Sequence, residues 1–156
     1  MILYLIQHGE AKPKEEDPDR HLSEKGMRDV RKIAEFLRPL KLSVGAIWHS
    51  GKARAAQTAE LLASAVQARE GLVQRDDLSP DDEIDSVRKE IRQAEADLMI
   101  VGHLPFLSKL ASRLLIGDES PSVVAFQKGG VVCLRQGDDE TWQLAWMITP
   151  ELLQPS

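Results

Sequence analysis

Two histidines follow apolar segments that are typical of β-strands. His8 comes after the run at residues 2–7, and His103 comes after the run at residues 98–102. Ligands of open α/β sheets bind outside the carboxyl ends of the strands, so we expect the two imidazoles to share one site. A single histidine in such a position would more often have a structural role. Two of them, each followed by a turn and a helix, predict an enzyme in which His8 reacts.

A serine and an arginine follow another predicted strand. Ser50 comes just after this strand, and Arg54 lies in the first turn of the helix that we expect next. A helix N-terminus offers unpaired N–H groups and the positive end of a dipole, and a guanidinium pairs with two phosphoryl oxygens at once. The pattern favours a phosphoryl-binding site. The alternative interpretation is an arginine on a solvent-exposed helix face.

The segments that must position these residues alternate between strand and helix patterns. We predict strands at residues 2–7, 44–48, 72–75, 98–102, 123–126, 130–135 and 141–148, the last two joined by a turn at residues 137–139. Helices are predicted to begin at Ser23, after Gly51, at Ser79 and at Pro105, each position offering a cap or a helix-initiating residue. This order predicts an α/β fold: one three-layer α/β/α domain over residues 1–156, with a mostly parallel central sheet and an antiparallel edge.

Composition limits the classes of protein to consider. The chain has 156 residues, 42% hydrophobic and 29% charged, with a formal net charge of −5. We therefore expect no nucleic-acid partner. No apolar run is long enough for a membrane span, and the first residues lack the features of a signal peptide, so we expect a cytoplasmic protein without a membrane partner. The single cysteine, Cys133, lies in an apolar run and is predicted to be buried.

Four short motifs, in order and at fitting spacings, resemble those of the histidine phosphatase superfamily (phosphoglycerate mutase-like). The resemblance is to its short SixA-like phosphohistidine phosphatase branch, and it extends from the first strand to the final hairpin. The motifs are Gln7-His8-Gly9-Glu10; Leu22-Ser23 with Gly26; Ser50 with Arg54-Ala55 and Gln57-Thr58-Ala59; and Val101-Gly102-His103 with Pro105.

The resemblance implies a catalytic set of His8, Arg54 and His103. His8 would attack phosphorus and form a phosphohistidine intermediate, while Arg54 and a preferably protonated His103 would neutralise the phosphoryl oxygens. Substrate-binding roles are expected for Gln7, Gly9, Ser50 and Lys12. Neither a cofactor nor a metal is expected, and His21 and His49 are expected to lie outside the chemistry.

One residue departs from the family pattern. Gln7 stands where the family has arginine, so it can donate hydrogen bonds but supplies no charge. Losing one charge-assisted donor from such a site costs about 3 kcal/mol of transition-state stabilisation. Either the protein is slower, or another cation compensates, with Lys12 as the first candidate and Arg20 as the second.

The leaving group guides the prediction of the substrate. Imidazole leaves with far less help from an acid than an alkoxide does. The acidic residues at positions 76–83 could protonate a leaving group, but they also suit simple helix capping. A phosphohistidine-bearing protein is therefore the favoured substrate. The alternatives are a small-molecule phosphomonoesterase and a non-catalytic module that binds phosphate or a phosphoprotein.

Overall fold

A computed structural model describes residues 1–154 and contains a six-stranded central sheet. Its strands, in spatial order, are β5 (Leu72–Gln74), β3 (Ala46–His49), β6 (Leu98–Gly102), β1 (Ile2–Gln7), β7 (Val131–Gln136) and β8 (Trp142–Ile148). The first four are parallel, whereas β7 runs antiparallel to β1 and β8 runs antiparallel to β7. Two short strands, β2 (Ser43–Val44) and β4 (Gln67–Ala68), form a separate pair. The predicted mostly parallel sheet with an antiparallel edge is confirmed.

Helices cover both faces of this sheet because its strands are apolar on both sides. The helices are α1 (Glu24–Leu37), α2 (Ala53–Ala63), α3 (Asp85–Gln93) and α4 (Phe106–Ile116), with 3-10 turns at Arg38–Leu40 and Pro150–Leu152. Alternate residues of β1 belong to different cores: Leu3 and Leu5 pack with α3 and α4, while Tyr4 and Ile6 pack with α1 and α2. The three-layer α/β/α architecture follows directly from this alternation.

The ends of α1 and α4 agree with their sequence signals. The Ser23 hydroxyl accepts a hydrogen bond from the Gly26 N–H at 3.0 Å and caps α1. Gly117 ends α4 with a φ of +79°, a conformation that glycine adopts without strain. Gly26 also lets α1 approach the first loop, because a Cβ there would lie 2.1 Å from the Glu10 carbonyl oxygen. The start of α1 is thereby fixed against the chain that leaves β1.

Two predicted elements are wrong. Helix α3 begins at Asp85 rather than at Ser79, because the Asp82 carboxylate accepts the Ser79 N–H at 2.8 Å and closes a local turn. Residues 123–126 form no strand. There the Ser112 hydroxyl accepts the Val123 N–H at 3.2 Å and donates to the Pro121 carbonyl at 2.9 Å, so this segment is fastened to α4 instead of to a neighbouring strand.

Two further expectations concern Cys133 and the membrane. Cys133 lies buried in β7, as predicted, and burial raises the pKa of its thiol to about 11. Within residues 1–154, none of the helices combines the length and the apolar character that a membrane span requires.

Candidate active site

The register of the parallel strands brings the two histidines together. Gln7 pairs with Gly102 across β1 and β6, so the next residues, His8 and His103, leave the sheet side by side. Their ring centroids lie 5.1 Å apart, and both side chains are buried, His103 almost completely. Strand β3 pairs with β6 and ends at His49, opposite Val101, which places Ser50 at the same edge of the sheet.

The His8 ring is held by its neighbouring backbone. Its Nδ1 lies 2.7 Å from the Gly9 carbonyl oxygen. A carbonyl can only accept, so Nδ1 carries the proton and Nε2 keeps a free lone pair. This is the tautomer that attack on phosphorus through Nε2 requires.

Helix α2 fixes Gly9 in turn through Thr58. The Gly9 N–H donates to the Thr58 hydroxyl at 3.0 Å, and that hydroxyl donates to the Arg54 carbonyl at 2.8 Å. Thr58 is fully buried. Sequence reasoning placed Thr58 in a family motif but gave it no role, because a contact between residues 49 positions apart leaves no local pattern.

His8 is neutral at physiological pH. Burial lowers its pKa to about 4, and the positive charges of Arg54, Lys128 and Arg20 act in the same direction. The hydrogen bond to Gly9 opposes them but is outweighed. Nε2 of His8 is therefore unprotonated over the whole physiological range.

His103 has one ring nitrogen engaged and one free. Its Nε2 lies 2.6 Å from the Ser50 hydroxyl oxygen, which also accepts the Lys52 N–H at 3.3 Å. The Ser50 hydroxyl can donate to Nε2 while it accepts from Lys52, and in that arrangement Nδ1 carries the ring proton. Within residues 1–154 this buried Nδ1 has no hydrogen-bond partner. With the proton on Nδ1, this atom is a donor without an acceptor, as expected where a ligand oxygen belongs.

The pKa of His103 does not agree with the protonated ring that we expected in the free protein. Burial lowers its pKa to about 3, with further lowering from His8, Arg54 and Lys52. In the free protein His103 is therefore a neutral N–H donor. Only a bound anion would supply the negative charge that favours the imidazolium.

Arg54 lines a cationic cleft of about 640 Å³. Arg20, Lys14 and Lys52 also line this cleft. The Arg54 Nε is buried and has no hydrogen-bond partner in the described part of the chain, and burial and the charge of Arg20 lower the pKa of its guanidinium. Two guanidiniums near a buried histidine pair favour binding of a multiply charged anion.

The two candidate replacements for the missing arginine charge are placed differently. Arg20 lines the Arg54 cleft, and its Nε donates to the Lys12 carbonyl at 3.1 Å. The Lys12 N–H donates to the His21 carbonyl at 2.9 Å. Within residues 1–154, the side chains lining the Arg54 cleft do not include Lys12, whose contact with Arg20 is through its backbone. A direct substrate contact by Lys12 stays a prediction.

Gln7 lines a different cleft from that of Arg54. Its buried side chain lines a second cleft, of about 540 Å³, together with Leu104 and Lys128. The sequence analysis did not single out Lys128, because it is distant from every motif in the chain.

The remaining histidines make structural hydrogen bonds. His21 Nδ1 lies 2.8 Å from an Asp17 carboxylate oxygen, and His49 Nδ1 accepts the Gly51 N–H at 3.1 Å. Asp17, Asp19 and His21 also form the one group of potential metal ligands found among residues 1–154, with ligand atoms within 4.8 Å of one another. This group lies on the surface loop rather than at the histidine pair.

Two acidic side chains at positions 76–83 are engaged elsewhere. Asp77 pairs with Arg75 at 2.6 Å, and this hydrogen-bonded ion pair lowers the pKa of the Asp77 carboxyl. The Arg75 guanidinium lies 4.1 Å above the Trp48 ring, which fixes the pair against the sheet. Asp82 holds the turn before α3. Neither carboxylate is free to act as an acid at the histidine pair.

Comparison with known proteins agrees with this geometry. Residues 3–79 match the sequence model of the histidine phosphatase superfamily (branch 1). An uncharacterized protein of Picosynechococcus sp. is 32% identical over 145 residues, covering 88% of this chain and 86% of that protein.

Solved structures share the whole fold. The protein histidine phosphatase SixA complexed with tungstate has a TM-score of 0.85 at 20% identity, covering 99% of this chain and 100% of that one. The alpha-ribazole phosphatase from Shigella flexneri has a TM-score of 0.71 at 18% identity, covering 96% of this chain and 97% of that one.

Fold and site together define a three-layer α/β protein with a buried histidine pair beside a cationic cleft. The chain belongs to the histidine phosphatase superfamily, and its fold is the one found in the SixA phosphohistidine phosphatase.

Proposed function

We propose that this protein is a metal-independent phosphatase that works through a phosphohistidine intermediate on His8. The observation that carries the proposal is the hydrogen bond from Nδ1 of His8 to the Gly9 carbonyl. Together with the lowered pKa, it leaves Nε2 with a free lone pair at neutral pH.

The first step transfers the phosphoryl group to the protein. The lone pair of Nε2 forms the bond to phosphorus as the bond from phosphorus to the leaving group breaks in line, and the leaving group departs with that electron pair. The guanidiniums of Arg54 and Arg20 and the free Nδ1–H of His103 stabilise the charge that spreads over the phosphoryl oxygens. Water then attacks phosphorus, releases phosphate and returns the lone pair to Nε2.

The favoured substrate is a phosphohistidine on a protein. Two of the acids that could protonate an alkoxide, Asp77 and Asp82, are held in structural hydrogen bonds. An imidazole leaving group depends least on such an acid. The SixA protein that shares this fold binds tungstate, a tetrahedral oxyanion like phosphate.

The test compares the wild type with His8→Ala on a phosphohistidine-bearing protein, an alkyl phosphate and an aryl phosphate. Asp138→Ala serves as the control, because it changes an exposed side chain in the turn between β7 and β8, at the end of the sheet opposite to the histidines. We expect phosphohistidine turnover in the wild type and the control and none in His8→Ala. A phosphorylated protein that is labile in acid and stable in base should be trapped only when His8 is present.

Other results lead to other functions. Preferred turnover of the alkyl phosphate would make the protein a small-molecule phosphomonoesterase. Binding of phosphate without turnover of any substrate would make it a binding module, with Gln7 as the reason for the lost activity. Equal activity in the wild type and His8→Ala would refute the covalent mechanism.

A further inference from the structure

The cleft beside Gln7 contains a cation that the motifs do not reveal. Lys25, Lys32 and Lys128 all line this cleft. Asp29 pairs with Lys25 at 2.8 Å and with Lys32 at 3.8 Å, so both of these lysines are engaged in ion pairs. No salt bridge of Lys128 is found among residues 1–154. Glu10 and Glu151 line the cleft as well, and Lys128 is its one lysine without a salt bridge in the described part of the chain.

A turn fixes the backbone of Lys128 to the nucleophile's own strand. The Gly130 N–H donates to the Gln127 carbonyl at 2.9 Å, which places Lys128 at the corner of a four-residue turn. Gly129 follows it with a φ of +77°, the conformation that a type II turn requires at its third position.

Gly129 ties this turn to β1 and His8. Its N–H is shared between the Gln7 carbonyl at 2.9 Å and the His8 carbonyl at 3.3 Å. Lys128 is thus one residue from the atom that holds both Gln7 and His8. Its position relative to the nucleophile is set by the backbone, although its side chain is exposed.

The charge of Lys128 reaches the reacting ring. It lowers the pKa of His8, and its effect stands above that of Arg20. Arg20 lies in the cleft of Arg54, whereas Lys128 shares its cleft with Gln7. Of these two cations, Lys128 is the one that lines the cleft of Gln7, the residue that lacks the guanidinium.

We propose that Lys128 is the phosphoryl-binding cation that compensates for Gln7, its ammonium contacting the substrate oxygen that an arginine at position 7 would bind. This assignment rests on the proposed function, since it assumes that a phosphoryl group is bound between His8 and Arg54. A lysine serves as a point charge without the two-pronged geometry of a guanidinium. The site therefore keeps its charge but gives up bidentate contact on this side.

The test uses binding of tungstate by calorimetry alongside phosphohistidine turnover. Lys128→Gln is expected to weaken tungstate binding and to lower kcat/KM about tenfold, the effect of losing one contact to a charged group. Lys25 lines the same cleft and is also exposed. Lys25→Gln is expected to change tungstate affinity and kcat/KM by less than twofold. Lys128→Arg should retain tungstate binding close to the wild type.

Lys128→Gln in a Gln7→Arg protein tests directly whether Lys128 compensates for the charge missing at position 7. In Gln7→Arg, the added guanidinium supplies the charge, so Lys128→Gln is expected to cost less than threefold there. The assignment is overturned if Lys128→Gln matches Lys25→Gln in tungstate affinity, or if its full effect persists in folded Gln7→Arg. It is also overturned if the wild type binds no tungstate.

Tungstate binding separates this inference from the proposed function. If tungstate binding depends on Lys128 while no substrate is turned over, the phosphatase proposal fails and the cation assignment stands. If phosphohistidine is hydrolysed equally well by Lys128→Gln and the wild type, with equal tungstate affinity, the phosphatase proposal stands and the assignment fails.

Discussion

Replacing Thr58 with valine should separate the support of the nucleophile from contact with the substrate. Valine keeps the branched shape of threonine but exchanges the hydroxyl for a methyl group. The substitution removes the acceptor of the Gly9 N–H and the donor to the Arg54 carbonyl, which lie at 3.0 and 2.8 Å. Because Thr58 is fully buried, water cannot replace it.

The magnitude follows from the group that is left unpaired. A buried N–H without a partner costs about 1–3 kcal/mol, so Thr58→Val should lower the free energy of unfolding by that amount. Gly9 would shift, and its carbonyl would no longer hold Nδ1 of His8 at 2.7 Å. Since a displacement of about 1 Å at a reacting group can cost a hundredfold, we expect kcat to fall about ten- to a hundredfold. KM should change little.

Thr58→Ser is the matched control for this substitution. It retains the hydroxyl and loses one buried methyl group, which costs about 1 kcal/mol of stability. Its kcat should remain within about threefold of the wild type, an expectation that follows from the retained hydrogen bonds. Urea denaturation and steady-state kinetics on both variants provide the measurement. If Thr58→Val were destabilised but kept the wild-type kcat, the reasoning that Gly9 positions His8 would be refuted.

Two further predictions concern the protonation of the histidine pair. Ser50→Ala removes the partner of His103 Nε2. We expect NMR of the ring nitrogens to show loss of the pure Nδ1–H tautomer, and kcat/KM to fall about tenfold. An unchanged tautomer would contradict the proposed direction of the hydrogen bond. The pKa of His8 is about 4 in the folded protein and about 6.5 when unfolded, so the unfolded state binds more protons below pH 6.5. Stability from this group is complete above pH 6.5 and is lost as the pH falls towards 4, on the order of 3 kcal/mol. Urea denaturation at pH 7 and pH 4 should show a smaller loss for His8→Ala than for the wild type, and equal losses would contradict the assigned pKa.

The sequence determined the alternating fold and the main candidates of the site. Apolar runs, capping residues and the position of a histidine after a strand are local features, and they predict local structure correctly at Ser23, His8 and His103. The predicted start of α3 failed because Ser79-Pro80 carries a valid helix signal, while the Asp82 side chain offers the backbone a competing turn. Both signals are local, and their relative strength depends on packing.

Only the tertiary structure decided which side chains support the chemistry. The tautomer of His8 depends on Gly9, whose position depends on Thr58 on another helix. The engaged nitrogen of His103 is defined by Ser50, 53 residues away, and the turn that carries Lys128 is held by Gly129, which bonds to the end of β1. These contacts join segments that are distant in the chain, so no spacing or periodicity encodes them. The sequence specified the candidate reacting groups, and the fold specified their protonation and the charges around them.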